Sequence, residues 1–132
     1  MPGAEPRQQS LLRQAARALA RAGLVHAYGH CSLRLGADEF LVCAAMPMGL
    51  IRDEAGTRVP VRGPLPAGVL GEVRVHQQIY ARRPDVAAVC RIMPPKLMAL
   101  STQAVSPRAR HGVGAYFAPW PPVWDNPRLM RD

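Results

Sequence analysis

Prolines limit the regular structure that this chain of 132 residues can form, because 14 of them divide it into short segments. Proline lacks a backbone N–H and clashes with the preceding helical turn, so helices and inner strands end at it. Pro64 therefore predicts a break before a helix over 68–83, and Pro84 ends that helix. A third helix is predicted from Pro94 to about Ser101. The second half of the chain is thus predicted to form only short elements.

The first half predicts one amphipathic helix followed by a strand hairpin. Over residues 6–24, apolar side chains recur with the 3.6-residue period of one helix face, and Gly23 suits a helix C-terminus. Two short strands are predicted over 31–35 and 39–44. Because a short turn that contains glycine and aspartate separates them, they are expected to pair as a hairpin.

Further strands are predicted from short alternating or apolar runs. A short strand is expected at 50–52, and the run 57–62 contains Pro60, which is compatible only with an edge strand. The run 86–92 is mostly apolar and has the length of a buried strand, and 112–117 is one more predicted strand. Helices that alternate with hairpin-joined strands indicate an α/β layered domain with a largely antiparallel sheet.

Composition is that of a globular protein. With 48% hydrophobic and 20% charged residues, the chain is expected to form one domain over residues 1–132. No apolar run reaches the ~18–20 residues of a membrane span, and the N-terminus lacks the pattern of a signal peptide. The wide spacing of Cys31, Cys43 and Cys90 predicts reduced, buried thiols rather than disulfides. These features predict a cytoplasmic protein that does not bind membranes.

The formal net charge of +8 raises nucleic acid as a partner. Arg13, Arg17 and Arg21 would form one stripe on the first helix. A solvated helix face is the favoured interpretation, because no basic run, aromatic-basic alternation or zinc-finger spacing accompanies the stripe. Many arginines with a single lysine are also typical of a GC-rich bacterial genome. Nucleic acid is therefore not favoured as a partner.

Three motifs occur along the chain in a distinctive order and spacing. They are GHCSLR from Gly29, ExxxHxxIYxxRPDVxAV from Glu72, and PVWDxP from Pro122. Together they resemble the class II aldolase/adducin family. The resemblance implies a three-layer α/β/α domain with a mostly antiparallel central sheet, here truncated at the C-terminus. It also implies relatives that are aldolases, epimerases, dehydratases or decarboxylases, and adducin heads that have the fold without catalysis.

The zinc ion of the family's enzymes is not expected here. In the family, two ligands form a His-x-His pair directly after a strand, and this chain has Arg91 and Met93 at the matching positions. Arginine stays protonated, and a thioether is a poor zinc ligand. The family segment that supplies a third histidine would lie beyond Asp132. The sequence therefore predicts no metal and no cofactor.

Three residues are predicted to be catalytic. Glu72 matches the family's acid/base carboxylate, although a pair with His76 that fixes the helix is an open alternative. Arg91 would hold a carboxylate or an enolate oxygen, unless it forms a salt bridge to Asp85 or to a neighbouring subunit. His30 is either a proton carrier or a structural imidazole.

Four further residues are predicted to bind substrate. Met46 and Met48 lie in a loop where sugar-phosphate members of the family carry hydroxyl side chains, so an apolar or aromatic substrate is expected. His30 replaces an asparagine of those members and resembles the hydroxy-acid decarboxylase branch. His76 and Tyr116 complete the predicted set, and a packing role for Tyr116 stays open.

Two functions of different classes remain. The first is a metal-independent acid/base enzyme that acts on an enolisable carbonyl compound, such as an aromatic or polyketide-like intermediate of secondary metabolism. Decarboxylation, aldol-type cyclisation and dehydration are the candidate reactions. The alternative is a non-catalytic, adducin-like assembly or binding module. The enzyme is preferred because Glu72 has no necessary structural task.

Assembly with other copies of the chain is also expected. Without the family's C-terminal segment, one strand edge and the apolar faces of 86–90 and 112–117 would lie open. Soluble proteins cover or pair such surfaces. The expected partners are therefore a small-molecule substrate and the chain itself, as a symmetric dimer at least.

Overall fold

A four-stranded antiparallel sheet forms the centre of the molecule. The computed structural model describes residues 4–117, 120–128 and 130. Its helices are α1 (Ala4–Arg21), α2 (Arg74–Arg82) and α3 (Pro95–Ser101), and its strands are β1 (His30–Arg34), β2 (Glu39–Val42), β3 (Thr57–Pro60) and β4 (Ala88–Arg91). The strand order is β3-β2-β1-β4. The predicted hairpin is therefore confirmed as β1 and β2, and β3 lies at the edge, as Pro60 requires.

The first helix ends where its sequence predicts. Gly23 has a φ of 72°, in the left-handed region that favours glycine, and the Leu24 N–H donates to the carbonyl of Leu19 at 3.0 Å. The buried side chains of α1 are Leu12 and Ala16, one helical turn apart. They pack the helix against one face of the sheet.

The sheet separates two buried clusters of side chains. One contains residues from α1 and the strand positions that face it: Leu12, Ala16, Val25, Cys31, Leu41, Cys43, Met48 and Ile51. The other joins the opposite strand positions to α2 and the turn before it: Phe40, Val42, Val59, Val61, Val73 and Tyr80. Because the helices cover opposite faces, the molecule has the three-layer α/β/α architecture that the resemblance implies.

Three predicted elements differ from the observed ones. The 50–52 strand is wrong: Met48–Leu50 is a 3-10 turn, and Ile51 follows it into the core. The 112–117 strand is also wrong, because Gly112–Phe117 forms 3-10 turns, and glycines favour tight turns over extended structure. The second helix begins later than predicted. Gly68 has a φ of 81°, which is not helical, and a 3-10 turn over Gly71–Val73 precedes α2.

The apolar run 86–92 is not a buried strand. Its regular part, β4, pairs with β1 at an edge of the described sheet, and Ala88 and Cys90 are exposed. Cys90 therefore departs from the expectation of a buried thiol, whereas Cys31 and Cys43 meet it. None of the helices in the described part of the chain is both long and apolar enough to cross a membrane.

Candidate functional site

A glycine turn delivers His30 into the sheet. Gly29 has a φ of 123°, and a Cβ at this position would come within 2.7 Å of Val25 Cγ1 and 3.1 Å of the Arg91 carbonyl oxygen. Only glycine fits this turn without strain. The turn places His30 at the first position of β1, where it is 4% exposed. Since alternate residues of a strand share a face, His30 and Ser32 both point toward α2.

A chain of four buried side chains links β1 to α2. His30 Nδ1 lies 2.7 Å from His76 Nε2, and His76 Nδ1 lies 2.6 Å from Ser32 Oγ. Ser32 Oγ in turn lies 2.8 Å from the hydroxyl of Tyr80. His76 and Tyr80 are one helical turn apart on α2, so they meet the two strand residues together. We call these four residues the relay.

The relay has one open end. Among the buried side-chain nitrogen and oxygen atoms of the described residues, His30 Nε2 alone has no hydrogen-bond partner. Such an unsatisfied buried group destabilises a fold and often marks a functional position. If Tyr80 donates to Ser32, Ser32 to His76, and His76 to His30, then His30 Nε2 carries a proton and is a donor. If every bond is reversed, His30 Nε2 is an acceptor.

Both histidines are neutral at pH 7. Burial lowers the pKa of His30 to about 4, the charge of Arg91 lowers it further, and the carboxylate of Glu72 opposes this shift. Burial likewise lowers the pKa of His76 to about 3, with smaller contributions from His30 and Arg91. A neutral imidazole can both donate and accept a hydrogen bond, so each histidine can pass a change of proton position along the relay.

Arg34 fixes the far end of the relay. Its guanidinium donates to the carbonyl of Tyr80 at 2.9 Å and to the carbonyl of Arg83 at 3.0 Å, at the C-terminus of α2. It also lies 4.7 Å from the centre of the Tyr80 ring, within the range of a cation–π contact. Because Arg34 is on β1, these contacts tie the end of α2 to the strand that carries His30 and Ser32.

The other two predicted catalytic residues, Arg91 and Glu72, lie near His30. Arg91 on β4 is the register partner of His30 on β1. Glu72 lies on the 3-10 turn before α2, and its charge acts on His30 together with that of Arg91. Asp85 pairs with Arg83 at 2.7 Å, so the predicted alternative of an Asp85–Arg91 salt bridge is not adopted. The structure thus brings His30, Arg91 and Glu72 together, and their roles stay predictions.

The predicted substrate-binding residues are more scattered. His76 is fully buried at the centre of the relay. Met48 is 1% exposed in the core on the α1 side, and Met46 packs against the same cluster. Because the relay is on the α2 side, the structure does not bring Met48 together with His30. Tyr116 is 88% exposed on the Gly112–Phe117 segment, and no described contact joins it to the relay.

Two members of the relay, Ser32 and Tyr80, are not among the site residues predicted from the sequence. His30 and Ser32 are two apart on a strand, and His76 and Tyr80 are four apart on a helix. Polar pairs at these spacings each present one face, and that was the available signal. The pairing of the two faces depends on tertiary packing.

A small cavity lies between the end of β2 and the segment before α2. Its volume is about 140 Å³, and the described residues that line it include Ala44, Ala45, Val69 and Leu70. Thr57 carries the one hydroxyl group among these lining residues, and none of them carries a positive charge. Apart from the Thr57 hydroxyl and the Cys43 thiol, the side chains of this wall are therefore apolar.

The donor set does not fit the zinc ion that the resemblance implies. No group of three or more histidine, cysteine, aspartate or glutamate residues in the described part of the chain could hold a metal ion. The residues at the positions of the family's His-x-His pair are Arg91, the last residue of β4, and Met93. A guanidinium repels a cation and cannot ligate it.

Comparison with known proteins places the chain in a family. The structure is similar to L-fuculose-1-phosphate aldolase from Thermus thermophilus, with 27% identity and a TM-score of 0.76 over 91% of this chain and 63% of that one. It shares its fold with YgbL from Klebsiella pneumoniae, a putative aldolase/epimerase/decarboxylase, with 23% identity and a TM-score of 0.63 over 74% and 49% of the two chains. L-fuculose 1-phosphate aldolase from Glaciozyma antarctica has 22% identity and a TM-score of 0.65 over 76% and 45%.

The chain therefore spans less than two thirds of the length of these relatives. No curated protein matches it significantly in sequence. The family model described as the class II aldolase and adducin N-terminal domain matches residues 10–127, which is most of the chain. The order of motifs, the three-layer fold and this match lead to one conclusion: the chain belongs to the class II aldolase and adducin family.

Proposed function

We propose that this protein is a lyase-type enzyme that moves a proton next to the carbonyl group of an enolisable compound, without a zinc ion held by this chain. The observation that carries the proposal is the unsatisfied, buried Nε2 of His30 at the head of the relay. In this proposal a substrate oxygen supplies the missing partner and, because the nitrogen is buried, reaches it by displacing a neighbouring side chain. Family membership supports chemistry of the aldolase, epimerase or decarboxylase type.

The proposed reaction divides the work among three residues. Glu72 removes the proton from the carbon beside the carbonyl, the electron pair of that bond forms the enolate double bond, and the carbonyl oxygen becomes negative. Arg91 and the Nε2–H of neutral His30 hold this oxygen. In a decarboxylation, the electron pair comes instead from the bond to the carboxylate, and carbon dioxide leaves. Glu72 then starts the cycle protonated, gives its proton to the enolate carbon, and takes a proton from solvent before the next turnover.

The relay supports the donor form of His30. An enolate oxygen at Nε2 favours the arrangement in which Tyr80, Ser32 and His76 each donate toward His30. The low pKa of His30 is useful here, because a neutral imidazole holds the oxyanion without giving up its proton to it. Every hydrogen-bonding atom of the relay then has a partner. Binding of the enolate therefore removes the energetic cost of the unsatisfied His30 Nε2.

The small cavity next to the Glu72 turn bears on the substrate class. Its wall contains alanine, valine and leucine side chains and no cationic side chain, and this supports a substrate with an apolar part. We propose an aromatic or polyketide-like carbonyl compound, of the kind handled in secondary metabolism, with decarboxylation, aldol-type cyclisation or dehydration as the net reaction.

Proton exchange tests the proposal directly. Phenylpyruvate and phenylacetone are incubated with the protein in D2O, and 1H NMR follows the loss of the signals of the protons beside the carbonyl. Glu72→Gln and Arg91→Gln are each expected to slow enzymatic exchange by about 100-fold. Glu54→Gln and Arg52→Gln change the same residue types at exposed positions and serve as matched controls.

Two outcomes contradict the enzyme. One is no exchange above the buffer rate with either compound, which favours the non-catalytic, adducin-like module. The other is exchange that Glu72→Gln and Arg91→Gln leave unchanged, which removes the proposed site.

We also propose that the protein assembles with copies of itself. Val113, Tyr116 and Phe117 are 68%, 88% and 66% exposed, and burying them would be favourable. Light scattering at micromolar concentration is expected to give at least the mass of a dimer. A stable species of the 14.4 kDa chain mass would contradict this proposal.

A further inference from the structure

A second, larger cavity lies on a different face of α2 from the relay. Its volume is about 910 Å³, which is in the range of sites for small organic ligands. One wall is the α2 face that carries Arg74, Ile79 and Arg82, and the other is the C-terminal segment with Trp124 and Arg128. His76 and Tyr80 point from the other side of the helix into the sheet, so this cavity and the relay are distinct.

The charged groups of this cavity have one sign. Four arginines line it, and no carboxylate is among its described lining residues. Arg83 is neutralised by Asp85 at 2.7 Å. The other three, Arg74, Arg82 and Arg128, belong to none of the ion pairs formed between described residues. Three guanidinium groups around one concave surface repel one another unless an anion lies between them.

Besides the arginines and the amides of Gln78 and Asn126, the wall is apolar. Val75, Ile79 and Val86 form this part together with Met130 and the indole of Trp124, which is 60% exposed. A planar apolar body could stack on this indole, while an acidic group at its edge meets the forks of the arginines. Inorganic phosphate would leave the apolar wall uncovered, and an uncharged ring system would leave the arginines unpaired.

We propose that the cavity between α2 and the C-terminal segment binds a small organic anion with an aromatic body. The proposal does not depend on the catalytic one, because it uses none of the same side chains. Arg82 and Arg128 hold the acidic group from opposite walls, and Trp124 holds the rings.

The test compares a probe that has both aromatic rings and a negative charge with a probe that has only the rings. 8-Anilino-1-naphthalenesulfonate carries aromatic rings and a sulfonate, and N-phenyl-1-naphthylamine carries the same rings without the charge. Fluorescence titration of the full chain at pH 7 is expected to give one saturable sulfonate site per chain, with partial quenching of the emission that Trp120 and Trp124 share. The uncharged probe is expected to bind about tenfold more weakly or worse.

Variants then locate the site. Arg82→Gln and Arg128→Gln are each expected to weaken sulfonate binding by roughly tenfold, because each removes a charge-assisted hydrogen bond. Arg21→Gln removes an exposed arginine from α1, on the other side of the sheet, and is expected to change binding less than about twofold. Circular dichroism confirms that each variant is folded, and since Arg82 and Arg128 lie on separate segments, either one alone suffices for the test.

Three results would overturn the proposal. The first is no saturable binding of the sulfonate. The second is equal binding of the two probes, which would show an ordinary apolar surface. The third is sulfonate binding that Arg82→Gln and Arg128→Gln weaken no more than Arg21→Gln does, which would place the probe elsewhere.

Discussion

The two faces of the sheet differ sharply although alternate residues of the same strands build them. On β1, Cys31 faces the α1 side, where all the buried neighbours are apolar or thiol side chains. Its neighbours His30 and Ser32 face the α2 side and join the relay. Neighbouring residues of one strand therefore belong to two different environments, an apolar interface on one face and a buried polar network on the other.

The two sides also differ in how burial contributes to stability. Apolar burial on the α1 side contributes roughly 25 cal/mol per Å² and needs no partner of defined geometry. Buried polar groups on the α2 side are stabilising only if each finds a hydrogen bond, and His30 Nε2 does not. Apolar burial in the clusters on both sides of the sheet thus offsets the cost of the unsatisfied group on the α2 side.

Acid is expected to act on the α2 side first. The pKa values of His30 and His76 in the folded protein, about 4 and about 3, lie below the value of about 6.5 in an unfolded chain. The neutral histidines therefore stabilise the fold above pH 6.5, and this contribution is lost as the pH falls toward 4. Between pH 7 and 5 the free energy of unfolding should fall by about 2 kcal/mol for each histidine, measured by urea denaturation.

Variants separate this effect from other titrations. His30→Gln should remove about half of the pH dependence, because glutamine does not titrate. His26→Gln, which makes the same substitution at an exposed position outside the relay, is the matched control. An unaltered pH dependence in His30→Gln would show that the relay is not the acid-sensitive part.

A core truncation tests the α1 side. Leu41 is fully buried in the α1 cluster, and Leu41→Ala should lower the free energy of unfolding by roughly 3 kcal/mol through lost burial and a residual cavity. This loss should be the same at pH 7 and pH 5. Leu11→Ala, at a position that is 53% exposed, is the control and should have a much smaller effect. Equal losses for the two variants would contradict the assignment of stability to this side.

Removing the middle of the relay should have a smaller effect on stability. Ser32→Ala leaves His76 Nδ1 and the Tyr80 hydroxyl without a partner and should cost about 2 kcal/mol in urea denaturation. Ser101→Ala, which removes an exposed hydroxyl bonded to its own helix, should cost far less. A neutral Ser32→Ala variant would mean that the relay does not contribute to the fold.

The smallest effect is expected from the polar contact on the α1 side. Arg58 pairs with Glu5 of α1 at 3.0 Å and with Glu39 of β2 at 2.7 Å, and all three side chains are 39–48% exposed. Since solvent and salt screen exposed pairs, Arg58→Gln should lower stability less than Ser32→Ala does, and the difference from wild type should shrink at about 0.5 M NaCl. A loss that salt does not reduce would show a buried contribution.

Local sequence signals determined much of this protein. The hairpin of β1 and β2, the edge position of β3 and the end of α1 follow from turn residues, Pro60 and Gly23, because these signals act through the backbone of a few neighbouring residues. The order of motifs was also sufficient for the family, which the match over residues 10–127 confirms.

Only the tertiary structure determined which faces of the helices and strands pack against each other. The sequence contains His30 and Ser32 on one strand and His76 and Tyr80 on one helix, but their hydrogen bonds join residues 44 to 48 positions apart. The exposure of β4 and the burial of Met48 likewise depend on which elements pack beside them. Periodicity tells which residues share a face, whereas the partner of that face, and hence the unsatisfied nitrogen of His30, is set by the packing of distant segments.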